Sequence, residues 1–215
     1  MQLNPTQNLA VDLLILAFDR SNNSVKIFTP TREDSNKKAL PGVLLKTNES
    51  ISDAVQRTLE TKTEFSNLKY RLQELPAQTN PTRDPRGHVI SVPILVFLTE
   101  PTNLDTNWST FEPDLELDFD HTEMVNKAFR ILAQNWDKHP LPLLLTGNNT
   151  TLEETRDLLA HFQPYYVKTL PSNLRQMAFV QTFMKETDSF IASTKKGRPP
   201  RCYKVLANKI KPLYQ

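Results

Sequence analysis

The sequence has 215 residues and a single cysteine, Cys202, so neither a disulfide within the chain nor a cysteine metal cluster is expected. No run of apolar residues approaches the roughly 20 that a membrane helix needs. The N-terminus has no basic region ahead of an apolar segment, so no signal peptide is evident. Hydrophobic residues make up 38% and charged residues 23% of the chain, a balance that excludes a disordered protein. We therefore expect a cytoplasmic protein without a membrane partner, folded as one large or two small domains.

Acidic residues are scarce in the last third of the chain. Residues 146–215 contain eleven Lys and Arg against five Asp and Glu, and residues 193–215 contain seven basic residues and no acidic one. A local excess of positive charge favours a polyanionic partner, although many proteins also carry basic tails that are simply solvated.

Apolar runs of strand length occupy residues 11–18 and 89–98, and shorter patterns typical of strands lie at 25–28 and 68–75. Between the second and third of these strands in chain order, Ser50 and Asp53 have the spacing of a capping box and predict a helix that continues to about residue 65. The repeat of Ile51, Val55 and Leu59 predicts that one face of this helix is buried. Strands that flank a helix predict a mixed α+β domain.

Residues 40–65 resemble the Nudix box. The scaffold positions of that pattern are kept at Glu49, Arg57, Leu59 and Phe65. Where the family places glutamates that hold Mg²⁺, this chain has Thr58, Thr61 and Lys62, and Val43 and Glu64 replace the two glycines. Because Mg²⁺ requires hard anionic oxygen ligands, we expect a Nudix fold with no metal site, no catalytic residues and no hydrolysis.

A shifted metal site is the alternative for this helix. Glu60 and Glu64 are four residues apart and, together with Glu49, supply three carboxylates. Acidic pairs at this spacing are far more often a solvated helix face, so the loss of catalysis is the favoured interpretation.

Two further segments add a second resemblance. Arg83-Asp84-Pro85-Arg86-Gly87 followed by Ser91-Val92, and then Phe119-Asp120-His121 at the start of a predicted helix, are similar to segments of Nudix-related transcriptional regulators of NAD metabolism. Guanidinium groups such as these bind phosphate oxygens in pairs. The resemblance implies a ligand pocket for ADP-ribose or a related nucleotide. The candidate ligand-binding residues are Arg32, Glu49, Arg83, Arg86 and His121.

The prolines at positions 140 and 142 end the helix that starts at His121, and we place a domain boundary there, between residues 1–139 and 140–215. Beyond it, the pattern predicts a helix over 152–162 and a second over 173–180, capped by Ser172. Residues 183–191 and 201–205 are expected to pair as a hairpin. Helices followed by a basic hairpin are typical of a winged helix-turn-helix domain.

The same regulators carry such a domain, with a wing that Gly197-Arg198-Pro199-Pro200-Arg201-Cys202-Tyr203 resembles closely. Their recognition helix is matched at two of four positions by Asn173-Leu174-Arg175-Gln176. Three of the four glycines of the chain lie in the resembling motifs, where tight turns need glycine. The residues expected to contact DNA bases or phosphates are Asn173, Arg175, Gln176, Lys195, Lys196, Arg198 and Arg201.

The sequence therefore predicts an α+β protein in which a catalytically degenerate Nudix domain precedes a winged helix-turn-helix domain. The resemblance implies a regulator of NAD metabolism genes, in the family a repressor relieved by ADP-ribose, that binds double-stranded operator DNA as a homodimer and needs no cofactor. Two alternatives remain open: an active Nudix hydrolase of a nucleoside diphosphate derivative, and a nucleotide-sensing module that binds a protein partner.

Overall fold

The computed structural model describes residues 8–85, 87–100, 102–191 and 199–213. Within these ranges the chain forms two β-sheets and five α-helices, which confirms the predicted α+β class. No helix in the described parts is long and apolar enough to span a membrane.

The first sheet is mixed. Its strands in the described residues are β1 (Asn8–Asp19), β2 (Ser24–Phe28), β3 (Gly42–Leu44), β4 (Tyr70–Glu74), β5 (Val89–Leu98) and β6 (Trp108–Thr110). Their order is β4-β5-β1-β2-β6, and β3 pairs with the first half of β1. Strands β1 and β5 run parallel, and the other pairs are antiparallel. The four predicted strands are confirmed, with β4 shorter than expected.

Helix α1 (Ile51–Lys62) begins where the sequence predicts. The Ser50 hydroxyl accepts a hydrogen bond from the Asp53 N–H at 3.1 Å, and the Asp53 carboxylate accepts one from the Ser50 N–H at 3.3 Å. This reciprocal capping satisfies two backbone donors that the helix itself leaves without a partner. Val55 and Leu59 are buried, so the predicted apolar face is confirmed.

Helix α2 (His121–Gln134) also begins at the predicted residue. Met124, Ala128 and Leu132 are buried, and Ile131 packs against the same core while partly exposed. Helices α1 and α2 cover opposite faces of the first sheet. Alternate residues of β1 contact different hydrophobic clusters, Leu13 on the face that α1 covers and Leu14 on the face that α2 covers.

The C-terminal part contains the helices α3 (Leu152–Phe162), α4 (Pro171–Arg175) and α5 (Ala178–Phe183), and the strands β7 (Asn149–Thr150), β8 (Met184–Phe190) and β9 (Arg201–Val205). The strands form a three-stranded antiparallel sheet in the order β7-β9-β8. Helix α3 has the predicted bounds, with Thr151 as its cap, and the predicted hairpin of β8 and β9 is confirmed. This arrangement of helices and sheet is that of a winged helix-turn-helix.

The predicted helix over 173–180 is wrong in two respects. The chain forms two short helices in that region, and the N-cap of the first is Leu170 instead of Ser172. Pro171 explains the early start, because its fixed φ suits the first helical position. The N–H groups of Gln176 and Met177 turn back to carbonyls only three residues earlier, at 3.0 Å each, which ends α4 before α5 begins.

A continuous hydrophobic core joins the two parts of the chain. The cluster on the α2 face of the first sheet contains Leu14 of β1, Phe162 of α3 and Phe179 of α5. The Phe162 ring packs 6.1 Å from the Trp136 ring, between centroids, and Trp136 packs 5.4 Å from Phe179. The division at residues 139 and 140 stays a prediction, but residues on both sides of it share one core.

Phe162 is 4% exposed in this shared core. We expect Phe162→Ala to lower the free energy of unfolding by about 3–5 kcal/mol, because it removes a large buried ring and leaves a cavity. The loss should affect both parts together, so chemical denaturation followed by fluorescence and by circular dichroism should give one coincident transition. Tyr165→Ala, at a ring that is 72% exposed, is the matched control and should change stability little. Two separated transitions in Phe162→Ala would contradict a shared core.

Candidate functional site

A cleft of about 730 Å³ opens between β1, residues 30–44 and the start of α2. Three of the predicted ligand-binding residues, Arg32, Arg83 and His121, line it. These residues are far apart in the sequence and the fold brings them together. The volume lies within the range of about 300–1,000 Å³ that is usual for small-molecule sites.

Arg83 lies in the wall of the cleft between two carboxylates. Its Nε and Nη2 each donate to Asp120 at 2.8 Å, and Nη2 also donates to Asp12 at 3.2 Å. The Arg83 side chain is only 5% exposed. Burial lowers the pKa of Arg83, but its hydrogen bonds to the Asp120 carboxylate and the negative charges of Asp12 and Asp120 outweigh it, so the pKa is raised. The guanidinium therefore stays charged within the protein.

His121 is a buried neutral imidazole. Its Nδ1 accepts a hydrogen bond from the Leu40 N–H at 3.0 Å, which leaves Nε2 to carry the ring proton. Nε2 lies 3.7 Å from the Asp12 carboxylate. Burial lowers the pKa of His121, and the attraction of Asp12 and Asp120 does not fully compensate. This hydrogen bond therefore holds the backbone at Leu40, just before β3, against the start of α2.

Asp12 is the residue on which these contacts converge. Besides Arg83 and His121, it accepts a hydrogen bond from the Ser91 hydroxyl at 2.5 Å. It lies opposite Gly42 in the pairing of β1 with β3, and a Cβ atom at Gly42 would come within 2.2 Å of the Asp12 carboxylate. Position 42 must therefore be glycine, because a side chain there would collide with the Asp12 carboxylate in the wall of the cleft.

Arg32 also lines the cleft. It donates to Asp34, and to Asp118 at 2.7 Å, and its guanidinium lies 4.3 Å from the centre of the Phe119 ring. Phe119 has a φ of +57°, a left-handed backbone conformation that is uncommon for a bulky residue. Burial raises the pKa of Asp118, but a hydrogen bond from the Phe119 backbone and the positive charge of Arg32 outweigh it, so the pKa is lowered.

The positions at which the Nudix box carries glutamates are now located. The hydroxyls of Thr58 and Thr61 each donate to a carbonyl four residues earlier in α1, at 2.7 Å. Thr61 and Lys62 line the cleft. No group of three or more His, Cys, Asp or Glu side chains in the described residues is arranged to hold a metal ion.

Glu49 is not among the residues that line the cleft. Its two carboxylate oxygens accept from Nε and Nη2 of Arg57, at 2.7 Å each, and one also accepts from the Lys46 N–H at 2.8 Å. The hydrogen bond from Arg57 is the main cause that lowers the pKa of Glu49 to about 2. This pair ties the loop before α1 to the helix. The predicted ligand contacts of Glu49 stay a prediction, and Arg86 lies outside the described residues.

Four of the candidate DNA-binding residues lie in the described residues of the C-terminal part. Asn173, Arg175 and Gln176 are exposed on or just after α4, and Arg201 is exposed at the start of β9. Glu186 of β8 brings two of them together, because its carboxylate lies 2.7 Å from Arg201 and 3.8 Å from Arg175. Lys195, Lys196 and Arg198 lie outside the described residues.

Sequence reasoning missed four acidic residues of these sites, namely Asp12, Asp118, Asp120 and Glu186. Asp12 interrupts an otherwise apolar strand, which was a usable signal because a buried strand rarely carries an unpaired charge. Asp118 and Asp120 carry no comparable signal, because acidic and apolar residues alternate throughout the segment that contains them. Only the fold identifies them as partners of Arg32 and Arg83.

The lowered pKa of His121 has a consequence for stability. Because burial disfavours the protonated ring, the unfolded chain binds the proton more readily, and stability that is complete above the ordinary histidine pKa of about 6.5 is lost as the pH falls below it. We expect His121→Gln to reduce this pH dependence, by up to about 1.4 kcal/mol per pH unit. His161, whose pKa burial also lowers, keeps its contribution in both proteins.

Urea denaturation of both proteins between about pH 8 and about pH 5 measures this difference. At about pH 8 both His121 and the replacing Gln are neutral, so the difference in unfolding free energy there gives the packing cost of the substitution. Only the further change in that difference below about pH 8 reports protonation of His121. Parallel curves for the two proteins would contradict a buried neutral His121.

Comparisons with known proteins agree with this architecture. No family profile matches the chain. In sequence it is 27% identical over 219 residues to an Acinetobacter baylyi protein described as an "ADPR responsive transcriptional repressor NtrR", and the alignment covers 93% of this chain and 82% of that protein.

Solved structures match the fold over most of the chain. A MutT/nudix family protein from Enterococcus faecalis superposes with a TM-score of 0.74 at 22% identity, covering 94% of this chain and 89% of that one. Shewanella oneidensis NrtR complexed with a 27mer DNA superposes with a TM-score of 0.74 at 18% identity, covering 94% and 95%. The predicted resemblance is confirmed: over nearly its whole length the chain is similar, in sequence and in fold, to Nudix-related transcriptional regulators.

Proposed function

We propose that this protein is a DNA-binding transcriptional repressor whose operator affinity is controlled by ADP-ribose, or a related nucleotide, bound in the cleft. The observation that carries the proposal is the alignment with an ADP-ribose-responsive repressor over 93% of this chain, since it includes both the cleft and the winged helix. The following features of the molecule support each part of it.

The cleft has the chemistry that a nucleoside diphosphate derivative requires. Arg32 and Arg83 supply guanidinium groups, which bind phosphate oxygens with paired hydrogen bonds, and Lys62 adds a third cation in the wall. Phe119 offers an aromatic ring, and Leu44 an apolar surface, beside these charges. A ligand with a planar base, sugars and phosphates fits a wall of this mixed character.

Binding without hydrolysis is the second part of the proposal. Nudix hydrolysis depends on glutamates that hold Mg²⁺, and this chain has Thr58, Thr61 and Lys62 at those positions. The two hydroxyls bond to the backbone of their own helix, and an ammonium group at the cleft wall repels a divalent cation. We infer a regulator that needs no metal or cofactor and whose nucleotide serves as an effector.

Operator binding uses the exposed end of the winged helix. Asn173, Arg175 and Gln176 are proposed to reach base edges, and Arg201 to contact phosphate, joined there by Lys195, Lys196 and Arg198. We also propose a homodimer, because winged-helix regulators commonly bind paired half-sites. Genes of NAD metabolism are the proposed targets, and a chromosomal operator implies action in the cytoplasm.

The experiment that tests this function is fluorescence anisotropy of the protein on DNA from upstream of its own gene and of neighbouring NAD-metabolism genes. It is titrated with ADP-ribose at fixed salt, because phosphate contacts make affinity strongly dependent on ionic strength. We expect selective binding over random DNA and an about 5- to 150-fold loss of affinity with saturating ADP-ribose, the usual range of allosteric coupling.

Each contrary result has a distinct meaning. If the protein binds these DNAs selectively but ADP-ribose does not change the affinity, the DNA-binding function stands and ADP-ribose is not its effector. No preference for any of these DNAs removes the regulator. The same samples, incubated with Mg²⁺ and analysed for AMP and ribose 5-phosphate, should contain only intact ADP-ribose. Metal-dependent cleavage instead identifies a hydrolase.

Arg201 provides a direct test of the DNA surface. Arg201→Ala removes one proposed phosphate contact, so operator and random DNA should both be bound more weakly. The slope of log affinity against log salt should fall in magnitude by about 0.9, the contribution of one neutralised phosphate. Arg71→Ala, at an exposed arginine of β4 in the first sheet, is the charge-matched control and should leave both quantities unchanged. Equal effects of the two substitutions would place the DNA surface elsewhere.

A further inference from the structure

Residues 118–120, which precede α2, and His121, its first residue, all contact residues that line the cleft. Asp118 bonds to Arg32 through its carboxylate, and its N–H donates to the Lys38 carbonyl at 2.8 Å. Phe119 lies under the Arg32 guanidinium, Asp120 holds Arg83 with two hydrogen bonds, and His121 accepts from the backbone of residue 40. Every residue of this leading segment, 118–121, thus contacts a residue that lines the cleft.

The other end of the same helix contacts the winged helix-turn-helix. The Phe129 ring lies 5.3 Å from the ring of Phe162 in α3, between centroids. The carbonyl of Ala133 accepts a hydrogen bond from the side chain of Gln163, the residue that ends α3. Trp136, just past the end of α2, packs against α5 through Phe179. Because an α-helix is stiff over this length, a displacement of one end of α2 is transmitted to the other.

The electrostatics of the cleft require such a displacement when an anion binds. Arg83 is paired with Asp12 and Asp120, and Arg32 is paired with Asp34 and Asp118. A phosphate group that approaches either guanidinium therefore meets two carboxylates, and like charges at contact distance repel strongly where water is partly excluded. A carboxylate must leave before the phosphate can take its place.

Asp120 is the partner of Arg83 that is able to leave. Asp12 belongs to the central strand of the sheet and is held by Ser91 and by the packing of Gly42. Asp120 is on the leading segment, directly after Phe119, whose left-handed backbone stores a conformational cost that a rearrangement would release. The segment that must move is thus the one that is strained and that continues into α2.

We propose that the Arg83–Asp120 ion pair is the ligand sensor of this protein, and that α2 carries its state to the DNA-binding part. A nucleotide phosphate binds Arg83 and displaces the Asp120 carboxylate from it, so the leading segment shifts. Helix α2 moves with this segment and changes the position of α3 and α5 through the contacts of Phe129 and Trp136. This inference rests on the proposed function and specifies how that function is regulated.

Asp120→Asn tests the sensor in the full-length protein. It removes the charge that holds Arg83 and keeps a side chain of the same size at the N-cap of α2, where asparagine is also favoured. Without ADP-ribose, the variant should bind the operator about tenfold more weakly than the wild type, a change within the usual range of allosteric coupling, since it resembles the ligand-bound arrangement. By reciprocity of coupling, ADP-ribose should bind it more tightly and should change its DNA affinity much less than that of the wild type.

Glu123→Gln is the matched control. It removes one carboxylate from the first turn of the same helix, at a side chain that is 61% exposed, pairs with Lys127 and does not line the cleft. Its operator affinity and its response to ADP-ribose should match those of the wild type. If the two variants behave alike, the sensor is overturned while the wild-type titration still establishes the regulator. If the wild type itself fails to respond to ADP-ribose, the proposed function fails first.

Hydrogen–deuterium exchange of the wild type, with and without ADP-ribose and in the absence of DNA, tests the relay without a mutation. The amides of residues 121–128 and of residues 155–163 should both change their exchange rates on ligand binding, because they lie at the two ends of the proposed relay. A change confined to the cleft residues 32–44 would overturn the role of α2.

Discussion

Arg83 is a charged group buried between carboxylates from two separate parts of the fold, and the arrangement of the cleft depends on it. A guanidinium that is removed from water must be fully paired, because an unpaired buried charge costs several kcal/mol. Satisfying Arg83 requires Asp12 of β1 and Asp120 of the segment before α2 to lie on either side of it. That requirement fixes the start of α2 against the sheet. It also explains why His121, the next residue, reaches the backbone of residue 40.

The helix positioned in this way belongs to both halves of the protein. Its first turn is part of the cleft wall, while its middle and end pack under the winged helix-turn-helix. Two domains joined only by a flexible linker would move independently. Here the shared core, with Phe162 and Phe179 against Trp136, leaves no such freedom, since packed interiors transmit strain.

Around α1, the contacts that hold the preceding loop match the Nudix pattern, whereas the side chains at the metal-binding positions differ from it. The cap at Ser50 and the pair of Arg57 with Glu49 hold the loop before the helix in place, and neither contact requires a metal ion. At the positions that would face a metal, the hydroxyls of Thr58 and Thr61 are bonded to the helix backbone. The contacts that hold the loop and the positions that correspond to the metal ligands of the Nudix box therefore belong to different side chains of the same region.

What the sequence by itself determined is local or periodic. The capping box at Ser50, the apolar run of β1 and the cap of α3 at Thr151 are set by residues within a few positions of one another, and each element begins near its expected place. The tertiary structure alone decided which charges meet. Asp12 lies 71 residues from Arg83, and Asp120 lies 37 residues from it, and nothing in the local pattern links them. A buried charge is stabilised by whichever opposite charges the fold brings within hydrogen-bond distance, and sequence periodicity does not encode that distance.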